Sequence, residues 1–269
     1  VPLMPFSGTR VNPDDYASPF SHSRETAQPG YYQVWLERYA INAELTSTLR
    51  CALHRYTFDK GSGRKLIADL TRSNNRVADW SIQREGRRAF SGSQNGEGKI
   101  YFWAESSADI TSIENIQGNH HTVSLVSFAD DSDGSRVELR IGFSFVSVEG
   151  ARRNLESEVG KDGSFDKVRA AADATWEQAL SAIRVDGGTE RQKGLFYSCL
   201  YRSMLWPSLR SDVNGDYTDV QGKVCNGGFN YYTNPSFWDD YRNKLPLVET
   251  LRPDVATDII KSIIDKGEK

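Results

Sequence analysis

Between Tyr31 and about Val148, apolar residues recur in short runs of β-branched and aromatic side chains, separated by polar or glycine-bearing turns. That pattern predicts extended structure. Ile41, Ala43 and Leu45 alternate with Asn42, Glu44 and Thr46, the period of two expected when one face of a strand packs and the other meets water. The clearest strands run from Tyr31 to Leu36, Ile41 to Thr48, Leu53 to Phe58, Lys65 to Leu70, Ile100 to Ala104, Thr122 to Phe128 and Val137 to Val146. Turns are signalled at Lys60-Gly61-Ser62-Gly63, at Gly92 to Gly98, and at Asp130-Asp131-Ser132-Asp133-Gly134. The last lacks the extended ligand series and closing Glu of an EF-hand, so it reads as a solvated hairpin turn. Many strands in series predict two stacked antiparallel sheets.

After Glu149 the period lengthens to that of a helix. Phe165-Asp166 leads into Val168, Ala172, Trp176, Ala179, Leu180 and Ile183 on one face. Gly187-Gly188 breaks the pattern, and Thr189 with Gln192 offers a capping box for a second helix through Phe196, Leu200, Met204 and Leu205, ended by Pro207. A Gly-, Asp-, Asn- and Tyr-rich loop covers Ser211 to Pro235. Further helices are expected from Trp238 to Leu251, interrupted or kinked at Pro246, and from Asp254 to Lys266. The fold class is a β-sandwich followed by an α-helical segment. Its expected parts are a sandwich over 1–160, a linker helix over 161–187, and a helical region over 188–269 too small to bury the apolar faces of its own helices.

With 269 residues, 38% of them hydrophobic, the chain can bury an ordinary core. Its 33 basic and 36 acidic side chains leave a formal charge of −3, which gives no field to attract nucleic acid or an anionic membrane and favours neutral partners. No apolar run approaches the roughly 18 residues of a membrane span. Cys51, Cys199 and Cys225 form no CxxC pair and give neither a disulfide scaffold nor a zinc spacing; each is expected to be a small buried apolar residue. No phosphate-cradling glycine loop and no G-x-S-x-G elbow is present. Many aromatics could stack on sugar rings, although such rings also fill sandwich cores.

Three blocks bear a more specific signal. The first is Phe20-Ser21-His22-Ser23-Arg24-Glu25-Thr26-Ala27-Gln28-Pro29-Gly30-Tyr31-Tyr32, running on to Ile41-Asn42-Ala43-Glu44-Leu45-Thr46 and His54-Arg55-Tyr56-Thr57-Phe58. The second is Gly142-Phe143-Ser144-Phe145-Val146-Ser147 with Ala151 and Asn154-Leu155. The third is Phe237-Trp238-Asp239-Asp240-Tyr241-Arg242 with Leu245-Pro246-Leu247. Together, and in this order, they resemble glycoside hydrolase family 92. The resemblance implies a sandwich, lacking here its first strands, against the incomplete beginning of an (α/α)6 barrel. It also implies a calcium-dependent, inverting, exo-acting α-mannosidase, secreted or periplasmic, acting on mannose-containing glycans such as N-glycans or mannan, with α-1,2 linkages the expected type.

Inverting hydrolysis needs a carboxylic acid and a carboxylate base roughly 6.5–9.5 Å apart. The resemblance places both beyond Lys269, so no catalytic residue is assigned, and this chain is expected to be an inactive part that needs the remainder of its catalytic domain. Calcium ligands are not located either. Substrate contacts are expected from Asp239, Trp238, Arg242, His22 and Glu25. Asp239 could equally serve a helix N-terminus. Trp238 could stack on mannose or pack inside the helices, and Arg242 could pair with Asp239 or another carboxylate instead of touching sugar. His22 and Glu25 could form a hydrogen-bonded structural knot. His54 and Arg55 read as interdomain or surface contacts, and His120-His121 as an exposed turn. The competing reading of the whole is a carbohydrate-binding or scaffolding sandwich without turnover.

Overall fold

The alternating segments pair edge to edge. In chain order the strands are β1 (Leu3–Phe6), β2 (Glu25–Gln28), β3 (Tyr31–Leu36), β4 (Ile41–Ser47), β5 (Cys51–Thr57), β6 (Lys65–Ala68), β7 (Asp79–Arg84), β8 (Ala89–Gly96), β9 (Gly98–Ser106), β10 (Ile110–Gln117), β11 (Thr122–Phe128) and β12 (Arg136–Ser144). This computed structural model describes residues 1–59, 61, 63–96, 98–130 and 136–269. One sheet has the order β1-β6-β11-β10 and the other β2-β3-β4-β5-β12-β9-β8-β7. All their pairings are antiparallel. The buried core includes Leu66, Ile67 and Val126 of the smaller sheet and Ile41, Tyr56, Phe90, Phe102 and Leu139 of the larger. Burying a side chain of this kind contributes about 1.5–3 kcal/mol. The chain therefore opens as a β-sandwich.

The outer face of the large sheet is covered by α1 (Val148–Glu158) and by the first turn of α2 (Phe165–Leu180). Helix α1 was not separately predicted. Its buried face is Gly150, Ala151, Asn154 and Leu155, too small and polar to give a strong apolar period. It rests on β12 at Gly142, where a Cβ would stand 2.1 Å from the Ala151 carbonyl oxygen. Asn154 Nδ2 donates to the Phe143 carbonyl at 2.7 Å beside it. The first turn of α2 inserts Phe165 and Val168 against Tyr31 and Leu53.

The chain forms two compact units, Val1–Ala172 and Asp173–Lys269. The second unit holds α3 (Glu190–Ser203), a hairpin of β13 (Asp216–Thr218) and β14 (Val224–Asn226), and α4 (Phe237–Asp240), α5 (Lys244–Leu251) and α6 (Pro253–Gly267). The capping box is present: Thr189 accepts from the Gln192 amide, and Gln192 accepts from the Thr189 amide at 2.8 Å. Large apolar side chains remain open in this unit, among them Leu195, Trp206, Phe237 and Ile260.

Several expectations are corrected. Gly92 to Gly96 is strand, not turn: Ser91, Ser93 and Gln94 are buried, and a Cβ at Gly92 would meet the Ser81 carbonyl at 2.1 Å, so this glycine permits close strand approach. The loop after Ser211 contains a hairpin. The helical break falls at Tyr241–Asn243, which puts Pro246 in the first turn of α5, where a missing N–H is harmless. Only Cys51 is buried; Cys199 is exposed, and Cys225 Sγ lies 3.5 Å from Asp219 Oδ2. The turn signals at residues 60 and 62 and at 131–134 lie outside the described residues, as does residue 97.

Candidate functional site

The first candidate group is built on the two-residue turn Pro29-Gly30 between β2 and β3, with Gly30 at φ 81°. Pro followed by a residue at positive φ is the pattern of a type II turn. It brings Tyr32 back beside Glu25. A single 3-10 turn, His22–Arg24, is capped by Ser21, whose hydroxyl accepts from the Ser23 amide. Glu25 then bridges two partners: Oε2 lies 2.5 Å from His22 Nδ1, and Oε1 accepts from Tyr32 OH at 2.6 Å. These donors, Tyr32 first and His22 second, hold the Glu25 carboxyl below the usual carboxylate range. Burial and the same carboxylate push the Tyr32 phenol up to about 12. His22 nevertheless leaves 87% of its side chain open to solvent. Arg24 lies 4.1 Å over the Trp35 ring, so the neighbouring cation is engaged elsewhere. The knot exists, and it holds an imidazole outward. Tyr32 was missed because its role depends on the turn, not on the local block.

The second group sits on α4, in the other unit. Trp238 is 90% exposed, so it packs in no interior here. Asp239 Oδ2 accepts from the Ser236 hydroxyl at 2.7 Å, while Oδ1 has no partner among the described residues. Asp240 is the buried acid of the pair: it accepts from the Ser236 amide at 3.1 Å and meets Lys244 Nζ at 3.3 Å. It therefore anchors the helix start and leaves Asp239 outward. Arg242 corrects the expectation of a carboxylate partner, since its Nε lies 2.5 Å from Tyr241 OH. The structure brings His22 to Glu25 and sets Trp238 beside Asp239.

Other candidates have structural roles. Arg55 is buried, with Nη1 and Nη2 on Asp166 at 3.0 and 2.8 Å, Nε on Glu138 at 2.8 Å, and its guanidinium 4.2 Å over Phe165. It ties β5 and β12 to α2 and is no surface contact. His54 Nδ1 lies 2.6 Å from Tyr56 OH, and burial lowers the imidazole to about 4. His120 is exposed in a turn whose amides at Asn119 and His120 donate to Asp14.

Calcium takes about six to eight oxygen ligands. Among the described residues no three His, Cys, Asp or Glu side chains gather so as to hold a metal. Where acids do crowd, they are already engaged. Asp219 accepts from the Gln221 and Lys223 amides at 2.9 Å and meets Lys269 at 3.1 Å, the Lys223 amide doing most to draw it down to about 2. Asp216 is held by Asn214 and Asn226. The described residues do not by themselves fit a calcium cage.

Residues 1–149 match the glycosyl hydrolase family 92 N-terminal domain, and residues 150–269 match the glycosyl hydrolase family 92 catalytic domain. An uncharacterized secreted glycosidase of Arthroderma benhamiae is 25% identical over 252 residues, which is 80% of this chain and 32% of that protein. A family GH92 α-mannosidase of Bacteroides thetaiotaomicron has a TM-score of 0.90 at 25% identity, covering 99% of this chain and 40% of its own. Its complex with mannoimidazole gives a TM-score of 0.88, at 25% identity over 99% of this chain and 39% of that one. A family GH92 inverting mannosidase of the same bacterium has a TM-score of 0.86 at 27% identity, over 98% and 38%. The chain spans 32% to 40% of the length of these relatives.

Proposed function

This chain belongs to glycosyl hydrolase family 92, and from that membership we propose that it serves an exo-acting α-mannosidase that releases mannose from N-glycans or mannan with inversion. The observation that carries the reading is the agreement with a family GH92 α-mannosidase over 99% of the chain at a TM-score of 0.90. A relative described as secreted supports a secreted or periplasmic setting, and no helix among the described residues is long and apolar enough to cross a membrane.

In this reading the described residues bind sugar and do not break the glycosidic bond. The open Trp238 ring offers an apolar face to the C–H side of a pyranose. Asp239, steadied through Oδ2 by Ser236, offers Oδ1 to a sugar hydroxyl. His22, fixed through Nδ1 by Glu25, offers Nε2, and Arg242 offers the guanidinium nitrogens that Tyr241 does not take. The acid and base come from beyond Lys269, so the 269-residue chain alone is inactive. Calcium enters as a ligand of the longer protein, and no step here runs through it.

The test is release of free mannose from α-1,2-mannobiose by this chain and by a version extended through the downstream helical region, with and without EDTA. Activity confined to the extended form and abolished by chelation is the expected result. Turnover by the 269-residue chain would place the acid and base within it. Sugar binding without turnover by either form would favour the scaffolding alternative.

A further inference from the structure

The outer face of the large sheet carries a groove of about 500 Å³. It lies where the ends of β7 and β9, the start of β8 and the first half of β12 meet the turn between α1 and α2. Its charged wall consists of Glu85, Arg88, Glu105, Glu138, Arg140 and Lys161.

Five of these six are held by neighbours, Glu105 and Arg140 through both ends of the head group and Glu85, Arg88 and Glu138 through one part of it. Arg140 and Glu105 are cross-strand partners joined at 2.5 Å, and Arg140 Nη1 also donates to the Gly160 and Lys161 carbonyls at 2.9 and 3.1 Å. Trp103 Nε1 donates to Glu105 Oε1 at 3.2 Å. Arg55 holds Glu138 Oε1 at 2.8 Å. Glu85 Oε1 accepts from Ser91 and Gln83 at 2.8 and 2.7 Å, and Arg88 Nε donates to Asp109 at 2.6 Å. Left without a partner among the described residues are Oε2 of Glu85, Oε2 of Glu138, the Nη groups of Arg88 and Nζ of Lys161. Two sets of acceptors and two sets of donors thus surround one space.

Carboxylate oxygens only accept and these cationic nitrogens only donate, so their complement is a ligand whose groups do both. Adjacent hydroxyls of a sugar meet that requirement at neighbouring carbons. Three acids and three bases cancel in formal charge, which leaves little preference for a free anion or cation. We propose that this groove binds a neutral sugar, one or two units of a glycan, through vicinal hydroxyls. The volume falls within the roughly 300–1,000 Å³ of small-ligand sites. Because the acids and arginines are already held, Lys161 is the main group to be ordered on binding. None of Trp238, Asp239, Arg242, His22 or Glu25 takes part, so the groove can fail or succeed separately from the mannosidase reading.

The experiment is a titration of the 15N-labelled full chain with α-1,2-mannobiose, following the amides of Ser106, Ser107, Lys161 and Gly163, with sodium phosphate and sodium acetate as comparison ligands. Saturable shifts at these amides are expected, with a dissociation constant of about 1 mM. Lys161→Ala and Glu85→Gln should each weaken binding about five-fold, the loss of one hydrogen bond. Lys161 is exposed and Gln keeps an acceptor at position 85, so both variants should retain a dispersed wild-type spectrum. Absence of the shifts, indifference to both substitutions, or a stronger response to phosphate than to sugar would each overturn the proposal.

Discussion

Gly142 lies on β12 directly beneath α1, and an alanine there tests how closely helix and sheet depend on one another. The added Cβ would stand 2.1 Å from the Ala151 carbonyl oxygen and 3.0 Å from Leu155 Cβ. Carbon and oxygen atoms approach to about 3.3 Å without strain, so the helix must retreat by roughly 1 Å. Ala151, Asn154 and Leu155 are at most 2% exposed. Overpacking of this sort costs about 1–3 kcal/mol, and stretching the bond from Asn154 to the Phe143 carbonyl adds about 1 kcal/mol. Reduced freedom of the unfolded chain offsets about 0.5–1 kcal/mol. Gly142→Ala should therefore destabilise by about 1–3 kcal/mol. The same change at Gly194 in α3 meets nothing within 4 Å and should stabilise by about 0.5–1 kcal/mol. Urea unfolding followed by circular dichroism and tryptophan fluorescence, fitted with a transition for each unit, separates the two effects. If Gly142→Ala unfolds at or above the wild-type midpoint, or if both alanines shift their transitions the same way, the contact with α1 does not govern this position.

Arg55→Met should destabilise the sandwich by about 2–4 kcal/mol, because Glu44 and Glu138 would remain half-buried without their cation, whereas Asp166 is 72% exposed and screened. Adding Glu138→Gln should recover part of the loss, and an unchanged urea midpoint for the single variant would remove the ion-pair argument. The His54 imidazole is held at about 4, below its ordinary 6.5, so the unfolded chain takes up this proton first as pH falls. Stability is then full above pH 6.5 and declines towards pH 4 by up to about 1.4 kcal/mol per unit, and His54→Gln should flatten melting temperature across that window. Loss from the depressed carboxyls of Glu25, Asp109 and Asp166 begins lower, near the ordinary carboxylate range. Trp238→Ala and Asp239→Asn should change stability by less than about 0.5 kcal/mol yet weaken mannoside binding in the extended protein; an early melt of either would reveal a packing role.

Strands with a buried and an open face were legible from the sequence. Tyr31–Leu36 and Thr122–Phe128 have their predicted limits because β-branched and aromatic residues mark both segments. β8 was not legible, since its glycine and serines suit a turn until Ser81 and Phe102 are seen to crowd Gly92 from the neighbouring strands. β2 was hidden for another reason: Glu25–Gln28 contains no fully buried residue, so it has no apolar period. At the candidate site, the spacing of His22 and Glu25 allows their contact, but Tyr32 reaches them only through strand pairing. Asp239 and Asp240 look alike in sequence, and only the fold buries one and turns the other out. The preference of guanidinium for carboxylate misdirected the reading of Arg242, for which a phenol stood nearer.

The order of the two sheets leaves β1, β10, β2 and β7 at their margins. Each is ill suited to recruiting a strand from another molecule. β1 carries Pro5, which has no N–H to give; β2 is only four residues long and bears Glu25; β7 carries Asp79 and Arg84; β10 carries Glu114. Sticky association at high concentration should therefore start not at these margins but on the open leucine, isoleucine and aromatic surfaces of α3, α4 and α6. Surface charge placed there would improve solubility, while further protection of the strand margins would gain little.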